Sequence, residues 1–389
     1  MKKKISFLLA LVFILSLALS ACASGEQKPS GNPSGPDNSS AGSTSGPDTP
    51  DDGNLPHYDI GILPWSLADT EIVRLMEWCG EIEKAFNVTF HWVQSTTDET
   101  LITNIETLIE AGCDAIMPYY ITESVVETCD RNQVYFAQFC GKIDGTVLEA
   151  AEKSDYWLGG CSEDDTAAGL AMVQSLYDQG ARNFTIIGIP AGQQPIGDLR
   201  FQAFADGIKT LQASDPTVKQ LGEYRGLESP NAVENFLSLY PEMDGICNAC
   251  GGGGRNESIV QALETSGAAG RVKYGAINAV EEYSYWFDNS ALHFMICGQH
   301  PDAIFSFMMV YNALNGDRLS DTPVYMGMNY LYVTPDNMSD YAEYIMGSTF
   351  PYTIDELKQF IKKFNPDASI ELLQEAVSSY SIEEVASRR

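Results

Sequence analysis

The sequence EAGCDAIMPYY, residues 110–120, ends a helical pattern in glycine and passes through an aspartate into a short apolar strand. The sequence YPEMDGICNAC, residues 240–250, repeats the same order of helix end, aspartate, apolar strand and loop. Short apolar strands that alternate with helices are typical of parallel sheets covered on both faces. The repetition therefore predicts two similar α/β halves with a cleft between them.

The same alternation extends outward from these two stretches. Helical patterns such as residues 67–86 carry apolar side chains at three- and four-residue spacing. Strands are predicted in HYDIGILP, VTFHWV, CDAIMP, VYFAQF, YWLGG, FTIIGIP, KQLGEY, DGICNA and VKYGAIN. This order predicts an α/β protein with two Rossmann-like lobes of parallel sheet. Ligands of open α/β sheets bind beyond the carboxyl ends of the strands, so the loops there form the candidate site.

The first 22 residues have the pattern of a secretory signal. Three lysines precede an apolar run that is too short for a comfortable membrane span. The run ends in LSAC, residues 19–22, which resembles the bacterial lipobox, whose cysteine is acylated and becomes the new N-terminus. We expect a lipoprotein anchored through Cys22, and the alternative is an ordinary cleaved signal with an incidental cysteine.

Composition distinguishes a linker from a folded region after the signal. Residues 23–56 are rich in Ser, Gly, Pro, Asn and Asp without apolar periodicity, which predicts a flexible linker with a reach of roughly 30 Å. About 330 residues remain, enough for two lobes. The formal net charge of −30 disfavours binding to nucleic acid and to anionic lipid headgroups.

The cysteines and histidines do not form a recognisable metal or catalytic site. Of nine cysteines, eight follow Cys22 and most lie in apolar stretches, where a thiol acts as a small hydrophobic group. Cys247 and Cys250 form one CxxC without a second pair or a nearby histidine, so a zinc site is disfavoured and a redox pair stays open. The sequence does not identify a disulfide pair.

Catalytic motifs are also missing from the sequence. The four histidines are scattered, and neither H-E-x-x-H nor G-x-S-x-G occurs. The run GGGG, residues 251–254, lacks the Gly-Lys-Ser/Thr of a P-loop, which favours a flexible turn over an anion cradle. We therefore expect neither an enzyme nor a bound cofactor.

Six stretches at normal spacing resemble the type I periplasmic binding proteins, the ribose- and galactose-binding class related to the lactose-repressor core. They are IGILPWSLADTEIVRLMEWCGEIEK, IETLIEAGCDAIMP, EDDTAAGLAMVQSLYDQGARNFTIIG, GDLRFQAFADGIK, GICNACGGGGRNESIVQALETSG with GAIN, and MICGQHPDAIFSFMMVYNALNG. The resemblance covers about residues 57–335 and implies two lobes joined by a hinge. It places residues 57–160 and about 295–330 in the N-terminal lobe, residues 161–294 and about 331–335 in the C-terminal lobe, and residues 336–389 in a helical C-terminal extension.

The resemblance also implies ligand-binding side chains at strand ends that face the cleft. They are Trp65, Ser66, Tyr119, Gln138, Asp164, Arg200, Asn248, Asn278 and Gln299. The face of Trp65 suits a sugar ring, and one tyrosine of Tyr119 and Tyr120 is expected to contact the ligand. Amide side chains both donate and accept, which suits hydroxyl-rich ligands. An outward polar position on an edge is the alternative for Gln138.

Two charged candidates have local alternatives. Asp164 matches the carboxylate that heads a helix in the resembled class, but it or Asp165 also suits the N-cap of that helix. Arg200 matches the arginine of the class, whose planar fork can donate to two oxygens of one ligand. A surface ion pair with Asp198 or Asp206 is its alternative.

The function implied by the resemblance is solute capture outside the cytoplasm, with the acidic linker hinting at a Gram-positive surface. A monomer would close over a small polar ligand, a monosaccharide or similar polyol, and deliver it to the permease of an ABC importer. The alternatives are a sensor subunit for a membrane receptor kinase and a binding protein for a phosphorylated or other non-sugar ligand. A secreted hydrolase is disfavoured by the missing nucleophile motifs.

Overall fold

The structure, a computed structural model, describes residues 55–143 and 145–389. The predicted signal, Cys22 and nearly all of the predicted linker lie outside these residues. The described residues form two six-stranded sheets, mostly parallel, with helices on both faces. This confirms the predicted α/β class with two lobes. Among the same residues, no helix has the length and apolar character needed to cross a membrane.

The first lobe is built on a sheet in which every strand pair is parallel. Its strands, in the order in which they pair, are β2 (Val88–Trp92), β1 (Tyr58–Leu63), β3 (Ala115–Pro118), β4 (Tyr135–Cys140), β5 (Trp157–Glu163) and β11 (Val324–Met328). Its helices are α1 (Thr70–Phe86), α2 (Asp98–Glu110), α3 (Glu123–Asn132), α4 (Gly145–Ala151) and α10 (Pro301–Leu314).

The second lobe repeats this plan with one antiparallel edge strand. Its strands, in pairing order, are β7 (Lys219–Arg225), β6 (Asn183–Gly188), β8 (Gly245–Asn248), β9 (Lys273–Ile277), β10 (Phe294–Cys297) and the antiparallel β12 (Leu331–Val333). Its helices are α5 (Asp165–Asp178), α6 (Pro195–Ser214), α7 (Ser229–Leu239), α8 (Arg255–Thr265) and α9 (Tyr283–Asp288). The expected lobe boundary at residues 294/295 falls inside β10, whose whole length belongs to the second sheet, so this boundary moves past Cys297.

The chain passes between the two sheets at three places. It crosses from β5 to α5, from β10 to α10, and from β11 to β12. The crossing after β10 is anchored to α1, because buried Glu71 accepts a hydrogen bond from the Gly298 N–H at 2.7 Å and pairs with His300 Nδ1 at 2.7 Å. These three crossings form the hinge on which the lobes turn.

The C-terminal extension returns from the second lobe to the first. It contains α11 (Met338–Asp340), a π-helical turn (Tyr341–Ile345), α12 (Ile354–Lys358), α13 (Ile370–Ser379) and α14 (Ile382–Ser387). Tyr341 packs edge-on against Tyr283 of α9, with ring centroids 5.2 Å apart. Arg74 of α1 donates to the carbonyls of Gly347 at 2.6 Å and Thr349 at 3.1 Å. The extension is thus a fourth link between the lobes.

Glycines allow β5 to pack closely between its neighbours. A Cβ on Gly159 would overlap the backbone of Val324 on β11, and a Cβ on Gly160 would overlap the carbonyl of Gln138 on β4. Gly159 also has a φ of 104°, which L side chains rarely adopt. The spacing of these three strands therefore depends on the Gly-Gly pair.

Replacing Gly159 with alanine tests this dependence, and Gly112→Ala is a matched control. Gly112 has a φ of 101° but open space where its Cβ would lie, so alanine there costs only backbone strain of about 1–2 kcal/mol. Gly159→Ala adds the overlap with β11, and we expect it to lower the free energy of unfolding by a further ~1–3 kcal/mol. Urea denaturation measures both variants, and equal losses would contradict the packing argument.

Candidate functional site

A cavity of about 280 Å³ lies between the lobes, at the carboxyl ends of the strands of both sheets. This volume is at the lower end of the range of about 300–1,000 Å³ found for small-molecule sites, so it suits a monosaccharide-sized ligand. Six of the nine predicted residues line it: Trp65, Ser66, Tyr119, Arg200, Asn278 and Gln299. The structure brings these six together from both lobes, and their contact with a ligand stays a prediction.

The first lobe contributes an aromatic corner to the cavity. The rings of Trp65 and Tyr119 meet edge to face, with centroids 5.8 Å apart and planes at 68°. Tyr119 also packs against Tyr120, whose hydroxyl donates to Asp98 Oδ1 at 2.6 Å away from the cavity lining. Of the two tyrosines that the sequence left open, Tyr119 is the one that lines the cavity. Burial raises the pKa of its hydroxyl, which stays neutral at physiological pH.

Arg200 lies at the cavity wall in a buried network. Its Nε donates to Asp165 Oδ1 at 2.7 Å and its Nη2 to the Tyr330 hydroxyl at 2.6 Å. The Tyr330 hydroxyl in turn donates to Asp165 Oδ1 at 3.0 Å. The expected alternative, a surface ion pair of Arg200 with Asp198 or Asp206, is wrong. Arg200 pairs with Asp165, and Asp198 pairs with Arg225. Most of the donors of Arg200 are used inside the protein.

The other three predicted residues do not line the cavity. Asp164 is exposed and caps α5, which is the alternative that the sequence allowed. Gln138 is buried on β4 and donates to the carbonyl of Gly141. Asn248 donates to the carbonyl of Cys250 at 3.0 Å and to Asn256 Oδ1 at 2.9 Å, so it holds the loop after β8. Asp164 and Asn248 are committed to local structure, whereas Gln138 Oε1 is buried without a hydrogen-bond partner among the described residues.

The lobes touch each other across the cleft through Asp69. Its Oδ1 caps α1 by accepting the N–H of Glu71 at 3.0 Å. Its Oδ2 accepts from Trp65 Nε1 at 3.2 Å and from Asn278 Nδ2 of the second lobe at 2.8 Å. Burial raises the pKa of this carboxyl, and the hydrogen bonds from Trp65 and Asn278 act in the opposite direction. The two lobes are therefore in a closed arrangement at this edge of the cavity.

Gln299 carries a polar atom that the protein does not satisfy. Its Nε2 donates to Asn278 Oδ1 at 3.3 Å. Its Oε1 is buried and has no hydrogen-bond partner among the described residues. Leaving such an acceptor unpaired costs about 1–3 kcal/mol.

Solved structures of solute-binding proteins share this architecture. One from Agrobacterium vitis with bound alpha-D-tagatopyranose is 15% identical, with a TM-score of 0.62 over 73% of this chain and 97% of its own. One from Actinobacillus succinogenes 130z with D-allose is 17% identical, with a TM-score of 0.62 over 73% and 100%. One from Agrobacterium radiobacter with D-arabinose is 14% identical, with a TM-score of 0.61 over 74% and 98%. The chain has the type I periplasmic binding protein fold.

Sequence comparison adds nothing to this assignment of the fold. No family model matches the chain. No curated protein matches it either. The likeness to the three solved structures lies in the arrangement of strands and helices, since their identities do not exceed 17%.

Several residues that line the cavity of this type I fold were missed by the sequence analysis. They are Gln94, Cys140, Gln194, Cys250 and Arg255. Gln94 lies two residues after β2, and Cys140 is the last residue of β4. Both could have been predicted from the rule that ligands bind beyond the carboxyl ends of the strands. Arg255 directly follows the glycine run, which the sequence analysis interpreted only as a turn.

The cysteines of the described residues are free, buried thiols. Cys247 and Cys250 of the CxxC form no disulfide in this structure. Cys140 and Cys250 line the cavity from opposite lobes. Burial raises the pKa of both thiols, so each presents a neutral, weakly polar surface to a ligand.

A buried acidic pair lies behind the cavity at the hinge. Glu163 ends β5 and Asp302 is the second residue of α10, so each is adjacent to a crossing between the lobes. With the Cys140 thiol they place three possible ligand atoms within 4.8 Å of one another. Burial, and then the neighbouring carboxylate, raises the pKa of Glu163 well above its usual value, and burial raises that of Asp302. These directions favour a protonated form of the pair.

The acidic pair predicts a pH dependence of stability. A carboxyl whose pKa is raised by folding binds more protons in the folded state, so its stabilising contribution is complete below the unfolded pKa of about 4 and is lost as the pH rises through the raised value. We expect Glu163→Gln to flatten the fall in the free energy of unfolding above that pH. The exposed Glu106→Gln serves as the control. Identical pH profiles for the Glu163 variant and the unchanged protein, measured by urea denaturation, would contradict the raised pKa.

Proposed function

We propose that this chain is an extracytoplasmic, lipid-anchored solute-binding protein that captures a monosaccharide between its lobes and delivers it to an ABC importer. The observation that carries the proposal is the monosaccharide-sized cavity between the lobes, lined by the aromatic rings of Trp65 and Tyr119 and by the side chain of Gln299. Sugar hydroxyls both donate to and accept from amide groups. The protein acts as a binding module, with no catalytic step assigned to it.

The other walls of the cavity support a sugar ligand. Trp65 and Tyr119 offer aromatic surface to the apolar face of a sugar ring. Gln94, Gln194 and Asn278 add amide groups that donate to and accept from hydroxyls. A cavity that combines aromatic faces with a few polar groups orients a small polar ligand.

The solved neighbours support the same class of ligand. They are ABC or carbohydrate transporter solute-binding proteins, and the three compared with this chain hold tagatose, allose and arabinose. Each neighbour is covered almost over its full length, so both lobes and the cleft take part in the likeness. At identities of 14–17%, these structures support a sugar site between the lobes but do not indicate which sugar this chain binds.

Ligand capture in this scheme is coupled to closure of the lobes. Asp69 and Asn278 already join the lobes through their own hydrogen bond. A ligand shifts the balance further toward closure only through contacts that exist in the closed form, such as simultaneous contacts with Trp65 and Arg255 from opposite lobes. The closed form is then the one offered to a permease.

Binding to monosaccharides tests the proposal. A sugar that fits, at about 100 times its dissociation constant, should add roughly 2.7 kcal/mol to the free energy of unfolding. Gln299→Met keeps the size of the side chain and removes its amide, so we expect it to weaken binding by about tenfold to a hundredfold. Thermal shift and calorimetry on the full-length protein measure both effects. The exposed Gln174→Met should bind as the unchanged protein does, and a lack of binding by all monosaccharides would reject the function.

The lipid anchor is tested separately through Cys22. Acylation needs the thiol, so Cys22→Ser should move the protein from the membrane fraction to the soluble fraction of cells. Ser30→Ala, in the predicted linker, should leave the protein in the membrane fraction. If Cys22→Ser stays with the membrane, the cysteine is incidental and the anchor is a different one.

A further inference from the structure

The charged side chains that line the cavity are all basic. Arg200 and Arg255 line it, and no aspartate or glutamate does so among the residues that the structure describes. This contrasts with the chain as a whole, which has 53 acidic residues against 23 basic ones. A cleft whose walls carry one sign of charge attracts ligands of the opposite sign. The basic lining of this cavity therefore favours an anionic ligand.

The positive charge of Arg200 is already matched inside the protein. Its Nε lies 2.7 Å from Asp165 Oδ1, and both side chains are almost completely buried. Its remaining hydrogen bonds go to the hydroxyl of Tyr330 at 2.6 Å and the carbonyl of Ala249 at 3.4 Å. Arg200 therefore shapes the wall without adding net charge to it.

Arg255 differs from Arg200 because its charge is not matched. Its Nη1 donates to the carbonyl of Gly226 at 3.1 Å and to the hydroxyl of Ser229, both neutral acceptors. Among the described residues, no carboxylate lies within 4.0 Å of its guanidinium, and Nε and Nη2 make no hydrogen bond. Arg255 thus lines the cavity with its charge unmatched and with part of its donor set unused.

The backbone beside Arg255 adds to the positive potential. Arg255 is the first residue of α8, and the glycines at 251–253 that precede it line the cavity as well. The helix has Gly254 at its N-cap and no side-chain cap, so its first N–H groups are left for a ligand or for water. Glu257 on the first turn opposes this potential, but its side chain does not line the cavity.

The acids behind the cavity wall do not cancel this charge. Glu163 and Asp302 are buried, and their pKa values are raised, which favours their neutral forms. The carboxylate of Asp69 is already hydrogen-bonded to Trp65 and Asn278. Among the described charged groups that line the cavity, the guanidinium of Arg255 is the one whose charge is not matched inside the protein.

We infer that the ligand is an acidic monosaccharide whose carboxylate or phosphate is held by Arg255, with its ring hydroxyls bound by the amide side chains that line the cavity. The inference deepens the proposed function and rests on it. Arg255 is then the residue that selects charged over neutral sugars. Carboxylate and phosphate share the chemistry that a guanidinium fork recognises, so sugars that bear one or the other must be compared directly.

The test uses sugars that share a ring and differ at one carbon. The full-length protein is titrated by calorimetry with D-glucose, D-glucuronate and D-glucose 6-phosphate, and with the matching galactose and mannose series. We expect a charged member of one series to bind at least about tenfold more tightly than its neutral parent. Arg255→Gln should remove that preference by weakening the charged member about tenfold to a hundredfold, while its neutral parent changes little.

Two further variants keep the result interpretable. Arg255→Lys keeps the charge but loses the planar fork, so it should retain part of the preference. Arg131→Gln removes the same charge from an exposed ion pair with Glu106 and should leave the preference intact. Thermal unfolding of each variant without ligand shows whether it is folded before its affinity is compared.

Each outcome decides the inference. Preference for the uronate assigns a carboxylate, and preference for the phosphate assigns a phosphate. A neutral parent that binds as tightly as its charged forms would overturn the inference and leave the sugar-binding function standing. A charged preference that survives Arg255→Gln would overturn the role of Arg255. Failure of every sugar in all three series would overturn the inference as stated for these rings, and the proposed function would then be decided by the screen of all monosaccharides.

Discussion

The buried contact among Arg200, Asp165 and Tyr330 is the constraint on which the cavity and the hinge both depend. Asp165 begins α5 just after the first crossing between the lobes, and Tyr330 lies in the third. Arg200 joins them while its side chain forms part of the cavity wall. Removing one partner of such a pair would leave a charge buried without compensation, at a cost of about 3–5 kcal/mol. Hinge geometry and cavity shape are therefore set by the same few polar atoms.

The cleft combines groups that are satisfied with groups that are not. Asp69 and Asn278 satisfy each other across the lobes, which lowers the cost of the closed form before any ligand arrives. Gln299 Oε1 and the guanidinium of Arg255 keep unused hydrogen-bonding capacity. The first pair joins the walls, and the guanidinium of Arg255 is the group to which we assign the selectivity of the space between them. This division is what a preorganised binding site requires.

The strands at residues 110–120 and 240–250 could be predicted because short apolar runs between amphipathic helices are typical of buried parallel strands. The short edge strands β11 and β12 could not, since they depend on partners from distant parts of the chain. At the site, two adjacent carboxylates could not be told apart: Asp164 caps a helix and Asp165 pairs with Arg200, and either position suits either role. Asn248 was indistinguishable from a ligand-binding amide because its partners, such as Asn256, meet it only in the folded loop. Arg255 was hidden because a glycine run leaves the direction of the next side chain open.

The return of the C-terminal extension to the first lobe has a consequence for the kinetics of exchange. A connection between the lobes in addition to the hinge segments restricts the range of open conformations further. The C-terminal extension is such a connection, and its contacts with the two lobes are made through Tyr341 and Arg74. A protein with fewer open states loses less conformational entropy when it closes, so more of the contact energy is expressed as affinity. In the proposed function, the same restriction favours long residence of the ligand over rapid exchange.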